Sequence, residues 1–83
     1  MYYVYILKCN NKSLYVGCSN DLKDRINLHK KGYVKSTRNK LPIKLIFYCC
    51  FPNKYVAYNF EKYLKTGSGR AFISKHLVNN ATS

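Results

Sequence analysis

Acidic side chains are scarce in this sequence. Its 83 residues carry 15 Lys plus Arg against 3 Asp plus Glu, a formal net charge of +12. So basic a chain repels itself unless a polyanion lies against it, and nucleic-acid backbones are the usual polyanion. The composition therefore predicts a nucleic-acid partner without identifying a reaction. An anionic membrane surface is disfavoured, because the lysines are scattered over every segment instead of lining one amphipathic helix.

Long apolar runs are also missing. No stretch approaches the roughly 18–20 apolar residues that span a bilayer, which excludes a membrane helix. The first residues show no basic leader and no small-residue cleavage site, so we expect no signal peptide and a cytoplasmic protein. The length suits one small domain, which we place at residues 1–78 and follow with a polar tail at 79–83.

The cysteines lack the spacing of a metal site. No C-x-x-C is present, and the adjacent Cys49 and Cys50 point to opposite faces of any strand that contains them. A four-ligand zinc site is therefore disfavoured. We expect free thiols that are buried or half-buried.

Apolar periodicity and turn residues predict an α+β domain in the order β-β-α-β-α-α. The predicted elements are a β-hairpin, a helix, a strand and two helices, at residues 2–9 with 13–18, 20–31, 43–51, 54–65 and 68–78. Ser19 and Ser68 are the expected N-caps of the first and last helices. The third strand is densely apolar, so we expect it to be central, and residues 32–42 form a basic loop.

Alternation along the predicted hairpin gives it two different faces. One face is apolar and is the expected core. The other carries hydroxyl-bearing aromatic rings and a gap at a glycine, where a ligand or another backbone could approach closely. Its members are Tyr3, Tyr5, Leu7, Tyr15 and Gly17.

Glu61 is the single glutamate of the chain. Mg²⁺ often takes only one or two protein carboxylates together with substrate phosphate and water, so this residue alone could hold a cation. The alternative is an ion pair with Lys65 one helical turn away, worth a few tenths of a kcal/mol.

Two further pairs of residues have both a functional and a purely structural interpretation. Arg25 and His29 lie four residues apart on one helical stripe, where they could engage a phosphate or form part of a solvated basic face. Tyr5 and Tyr15 could serve only as packing, or surrounding positive charge could lower the pKa of a hydroxyl enough for proton transfer.

Together these positions resemble a known family. The tripeptides Tyr3-Val4-Tyr5 and Tyr15-Val16-Gly17, followed by Arg25, His29 and Glu61, resemble the GIY-YIG nucleases from Tyr2 to about Leu77. The similarity is to small stand-alone bacterial members, which are related to the N-terminal nuclease domain of the bacterial excinuclease. Two positions depart from the pattern: Tyr3 replaces the first glycine and Val16 replaces isoleucine.

The resemblance implies a three-stranded antiparallel sheet flanked by helices, and a metal-dependent endonuclease that hydrolyses DNA phosphodiester bonds. Glu61 would hold Mg²⁺ or Mn²⁺, and Arg25 would stabilise the transition state. Tyr5 or Tyr15 would deprotonate a water, with a pKa lowered by the metal, Arg25 and lysines, while His29 orients that tyrosine or relays its proton. Gly17 has no side chain that would block the approach of the backbone or substrate.

A further set of cations is expected to follow flanking phosphates without reading bases. These are Lys30, Lys31, Lys35, Arg38, Lys40 and Lys54. The implied role is structure-directed cleavage of duplex, branched or single-stranded DNA in repair or recombination, with low sequence specificity, no small-molecule cofactor and an oligomeric state left open. RNA is an alternative substrate. A non-catalytic nucleic-acid-binding module and a basic ribonucleoprotein component are the alternative functions.

Overall fold

The computed structural model describes residues 1–77, which form one sheet flanked by helices. The strands are β1 (Tyr2–Lys8), β2 (Leu14–Ser19) and β3 (Lys44–Phe51). The helices are α1 (Leu22–Lys30), α2 (Lys54–Leu64) and α3 (Gly67–Phe72), and a π-helical turn, Ile73–Leu77, extends α3. This confirms the predicted element order. Within residues 1–77, no helix has the length and apolar composition needed to cross a membrane.

The sheet is antiparallel, with the strand order β2-β1-β3. The expectation that the third strand is central was wrong, because β1 occupies the centre. Residues 4–7 of β1 are all buried, whereas no residue of β3 is fully buried. Three of the seven apolar residues of β3 are aromatic, and such side chains can cover an edge while remaining partly exposed.

The register confirms the two faces of the hairpin. Tyr5 lies opposite Gly17, and Leu7 lies opposite Tyr15. The expectation of a single core face was incomplete, because both faces are covered. One core joins the sheet to α2 and α3 and includes Val4, Ile6, Val16, Ala57, Leu64 and Ile73. The second joins the opposite face to α1 and includes Tyr5, Leu7, Cys9, Ile26 and Ile43.

The helices start at different caps from those expected. Asp21, not Ser19, caps α1 by accepting a hydrogen bond from the backbone N–H of Asp24 at 3.0 Å. Thr66, not Ser68, caps α3 by accepting one from the N–H of Gly69 at 3.0 Å. The last predicted helix extends to residue 78, and its end lies outside the described residues, as does the predicted tail.

Residues 32–40 form a series of hydrogen-bonded turns on the α1 side of the sheet. Gly32 leaves α1 at a φ of +79°, a conformation that favours glycine. The backbone of Lys40 accepts a hydrogen bond from the N–H of Asn10, which anchors the segment to the end of β1. Val34 and Thr37 are buried, so this basic segment presents two side chains to the interior.

Candidate active site

Tyr5 and Gly17 form the centre of the candidate site. They are directly opposed in the β1–β2 pair, and the Tyr5 side chain is 1% exposed. A Cβ at position 17 would lie 2.5 Å from both Cζ and Oη of Tyr5. The glycine gap recognised in the sequence is therefore filled by the Tyr5 ring itself, and only glycine fits beneath it.

A buried hydrogen-bonded chain runs from Tyr5 through His29 to Thr37. The Tyr5 hydroxyl lies 3.0 Å from Nε2 of His29, and Nδ1 of the same ring lies 2.7 Å from Oγ1 of Thr37. His29 and Thr37 are both 0% exposed. Both imidazole nitrogens are thus occupied by hydroxyl groups, which fixes the orientation of the ring.

Tyr15 completes an aromatic cluster around this chain. Its ring lies 5.1 Å from that of His29 and 6.3 Å from that of Tyr5, measured between centroids. The Tyr5 and His29 rings meet edge to face at 5.7 Å. Tyr15 is only partly buried, so it connects the buried pair to the surface.

The electrostatics of the site are set by burial and by Arg25. Burial raises the pKa of Tyr5 to about 12; the Arg25 guanidinium lowers this pKa but is outweighed, and negative charge at Tyr15 and Glu61 raises it further. At Tyr5, burial therefore outweighs the lowering that was expected from nearby positive charge. Burial also lowers the pKa of His29, and the positive charge of Arg25 lowers it further, so both effects favour the neutral imidazole.

Glu61 approaches the site from α2, on the opposite face of the sheet. Its charge raises the pKa of Tyr5 and, after burial, that of the Cys18 thiol. The side chain is 19% exposed, and Oε2 accepts a hydrogen bond from Nζ of Lys65 at 2.9 Å. The carboxylate therefore makes the predicted i, i+4 ion pair and also lies within electrostatic reach of Tyr5.

Two grooves lie between β2 and α2. The Arg25 groove, about 440 Å³, is lined by Tyr2, Cys18, Ser19, Asn20, Arg25, Lys54 and Tyr58. The Arg70 groove, about 400 Å³, is lined by Ser13, Leu14, Tyr15, Val16, Leu64, Lys65, Arg70, Ile73 and Ser74. On α2, Glu61 lies one turn from each groove, since it is three residues from Tyr58 and four from Lys65. A strip with cations at both ends therefore runs along β2, past Glu61.

The predicted phosphate-binding cations lie in different places. Lys54 lines the Arg25 groove. Lys30 lines a separate groove, about 630 Å³, between α1 and β3. The others are exposed on the turn segment after α1: Lys31, Lys35, Arg38 and Lys40.

Sequence reasoning did not identify Thr37, Lys65 as a groove residue, or Arg70. Lys65 was considered only as the ion-pair partner of Glu61. Arg70 could have been found from its place in the last predicted helix, although its groove is formed by residues distant in sequence. Thr37 gave no signal, because a threonine in a basic, polar segment is ordinary.

Comparisons with known proteins identify a family and relatives of this chain. A family model described as the GIY-YIG catalytic domain matches residues 1–75. The UPF0213 protein CPE1444 of Clostridium perfringens is 47% identical over 66 residues, covering 78% of this chain and 71% of that protein. The UPF0213 protein SpyM50708 of Streptococcus pyogenes is 38% identical over 79 residues, covering 89% and 86%.

A solved structure is similar as well. The solution NMR structure of the UPF0213 protein BH0048 from Bacillus halodurans shares 33% identity, with a TM-score of 0.58. The match covers 93% of this chain and 87% of that one. The tyrosine pair, the glycine beneath Tyr5 and the helical arginine thus lie in a fold shared with these relatives, and the chain belongs to the GIY-YIG catalytic domain family.

Proposed function

We propose that this protein is a metal-dependent endonuclease that hydrolyses DNA phosphodiester bonds in the cytoplasm, in repair or recombination. The observation that carries the proposal is the convergence of His29 and Arg25 on the hydroxyl of Tyr5, whose ring lies over Gly17. A binding module needs exposed cations for phosphates, but it has no use for a buried tyrosine held by a neutral imidazole beside an arginine.

Tyr5 is the proposed general base. Its hydroxyl is fixed by His29 at 3.0 Å, and the Arg25 guanidinium stabilises the deprotonated form. A base held in position contributes about 10²–10⁴-fold to such reactions. Tyr15 packs on the Tyr5–His29 pair and reaches the Arg70 groove, so its proposed role is to orient the pair and contact the substrate.

Arg25 lies between the Tyr5–His29 pair and a surface groove. It lines a groove with Lys54, and it is close enough to alter the pKa values of both Tyr5 and His29. A guanidinium at that point suits a non-bridging phosphate oxygen, whose charge increases in the transition state. Arg25 is thus the proposed anchor of the scissile phosphate.

Glu61 is the proposed metal ligand, because its carboxylate is of the type that binds a hard cation. The carboxylate is partly exposed, and its ion pair with Lys65 engages only Oε2. A single carboxylate suits Mg²⁺ or Mn²⁺ that completes its shell with water and substrate phosphate. When bound, such a cation supplies charge stabilisation at the phosphate and acidifies water.

Low sequence specificity is proposed from the character of the grooves. Their cationic members, Lys54, Lys65 and Arg70, are suited to phosphates, and a domain of this size offers little surface for long base readout. The preferred substrate is therefore DNA recognised by its shape, whether duplex, branched or single-stranded.

The test is nicking of supercoiled plasmid and of a branched DNA at low salt, with Mg²⁺ or Mn²⁺ and with chelator. Tyr5→Phe and Glu61→Gln should each abolish cleavage in a protein that still shows a cooperative thermal unfolding transition. Tyr48→Phe is the matched control, because Tyr48 is an exposed tyrosine directly opposite Tyr5 on β3. Tight DNA binding without cleavage, unchanged by either substitution, would instead establish the binding-module alternative.

A further inference from the structure

Thr37 is a buried polar side chain to which the proposed reaction gives no role. It lies in the turn segment after α1 at 0% exposure, and its Oγ1 lies 2.7 Å from Nδ1 of His29. This is shorter than the 3.0 Å that separates Nε2 from the Tyr5 hydroxyl. In the chain of Tyr5, His29 and Thr37, the direction of each hydrogen bond depends on which ring nitrogen of His29 is protonated.

A neutral imidazole has one N–H donor and one acceptor nitrogen. Because His29 is hydrogen-bonded at both nitrogens, only two arrangements are consistent with both distances. In the first, Thr37 donates to Nδ1 and the Nε2–H donates to Tyr5. In the second, Tyr5 donates to Nε2 and the Nδ1–H donates to Thr37.

In each arrangement one hydroxyl hydrogen takes no part in the hydrogen bonds to His29. The two arrangements differ in which residue carries that hydrogen. In the second arrangement the spare hydrogen belongs to Thr37, whose side chain has no hydrogen-bond partner except His29 within residues 1–77. A buried hydroxyl hydrogen without an acceptor is unfavourable. In the first arrangement the spare hydrogen belongs to Tyr5, which packs against the half-buried Tyr15 and so borders the surface, whereas Thr37 is fully enclosed.

We propose that Thr37 is a positioning residue that donates to Nδ1, holds His29 in the Nε2–H tautomer and so makes the imidazole a hydrogen-bond donor to the Tyr5 oxygen. The catalytic meaning of this inference rests on the proposed function; the hydrogen-bond direction does not. A donor at Nε2 favours the deprotonated form of Tyr5, as the neighbouring Arg25 does. His29 then orients the base and does not take its proton.

The direct test is NMR of the full chain labelled with ¹⁵N, in which long-range couplings identify the protonated ring nitrogen. Wild type should show His29 protonated at Nε2 and unprotonated at Nδ1, with exposed His76 as the internal reference. Tyr5→Phe should retain this tautomer, because Thr37 sets it. Thr37→Val should lose it, and Thr37→Ser should restore it.

Protonation of His29 at Nδ1 in the wild type would overturn the proposal. Retention of the Nε2–H tautomer in a folded Thr37→Val protein would also overturn it. Should that variant fail to fold, the wild type and Tyr5→Phe still decide the question, since neither alters Thr37.

A second measurement connects the tautomer to cleavage. Thr37→Val should lower kcat by roughly 10-fold with KM for DNA unchanged, a fraction of what a positioned base contributes, and Thr37→Ser should recover most of this loss. His29→Gln keeps an N–H donor but cannot accept a proton as imidazole does, so it should retain more activity than His29→Ala. If wild type cleaves no DNA, the proposed function fails while the tautomer result stands independently.

Discussion

Gly17 lies directly opposite Tyr5 across the β1–β2 pair, and a methyl group there would approach the Tyr5 Oη to 2.5 Å. The same methyl group would meet Cε2 of Tyr15 at 3.0 Å. The backbone of β2 therefore forms the floor on which both tyrosine rings rest. Packing and the proposed chemistry depend on the same missing side chain.

Gly17→Ala should therefore destabilise the protein and impair cleavage together. We expect a loss of about 1–3 kcal/mol in the free energy of unfolding, as for other overpacked sites, because the Tyr5 ring must move away from His29. Denaturant unfolding and plasmid nicking measure the two effects. Gly67→Ala is the control, since a Cβ at position 67 meets nothing within 4 Å; equal effects of the two substitutions would contradict this account.

The raised pKa of Tyr5 predicts a loss of stability in alkali. The folded-state pKa of about 12 exceeds the ordinary value of 10.0, so the contribution is fully present below pH 10. It is lost as pH rises from 10 to 12, because the unfolded chain ionises first. The loss amounts to about 2–3 kcal/mol. Tyr5→Phe should remove this part of the pH dependence of unfolding, and Tyr48→Phe should leave it intact.

Lys65 should compete with a cation for Glu61. Its ammonium lies 2.9 Å from Oε2, so Lys65→Ala frees that oxygen. We expect Mn²⁺ to bind roughly 1.5- to 5-fold more tightly, matching the ~0.2–1 kcal/mol of a solvent-exposed ion pair. Calorimetric titration measures the affinity. Lys62→Ala removes an exposed positive charge from the same helix and serves as the control; an equal gain in both variants would mean that only net charge matters.

The two grooves beside β2 predict which cations set the salt dependence of DNA binding. The plot of log affinity against log salt has a negative slope. Lys54→Gln and Arg70→Gln should each make that slope shallower by roughly 0.9 if each residue contacts one duplex phosphate. Fluorescence anisotropy over a range of salt concentrations provides the slope. Lys44→Gln, on the strand at the opposite edge, should leave it unchanged; a similar change there would point to diffuse attraction without a defined track.

Alternation along strands and spacing along helices predicted much of the fold and of the candidate site. Alternation along the hairpin placed Tyr5 and Gly17 on one face, and helical spacing placed Glu61 beside Lys65. Both relationships involve neighbouring residues or adjoining strands. The family resemblance supplied the expectation that the first helix would bring Arg25 to the tyrosines.

What the sequence did not predict depends on long-range burial. The central position of β1 follows from its pairing with both β2 and β3, which the composition of a single strand does not reveal. The pKa of Tyr5 is raised because the folded chain buries the ring, an effect larger than that of the arginine identified from sequence. Thr37 became visible only when a basic turn segment was found to fold inward.

Because β2 is an edge strand of the sheet, it borders the proposed substrate grooves and also exposes backbone groups to other chains. An edge strand presents unpaired backbone groups to which another chain can add, and proteins commonly protect such edges with lysine and arginine. Here Lys54, Lys65 and Arg70 line the grooves between this strand and α2. The cations proposed to hold a substrate would thus also oppose self-association, and removing them should lower solubility as well as affinity for DNA.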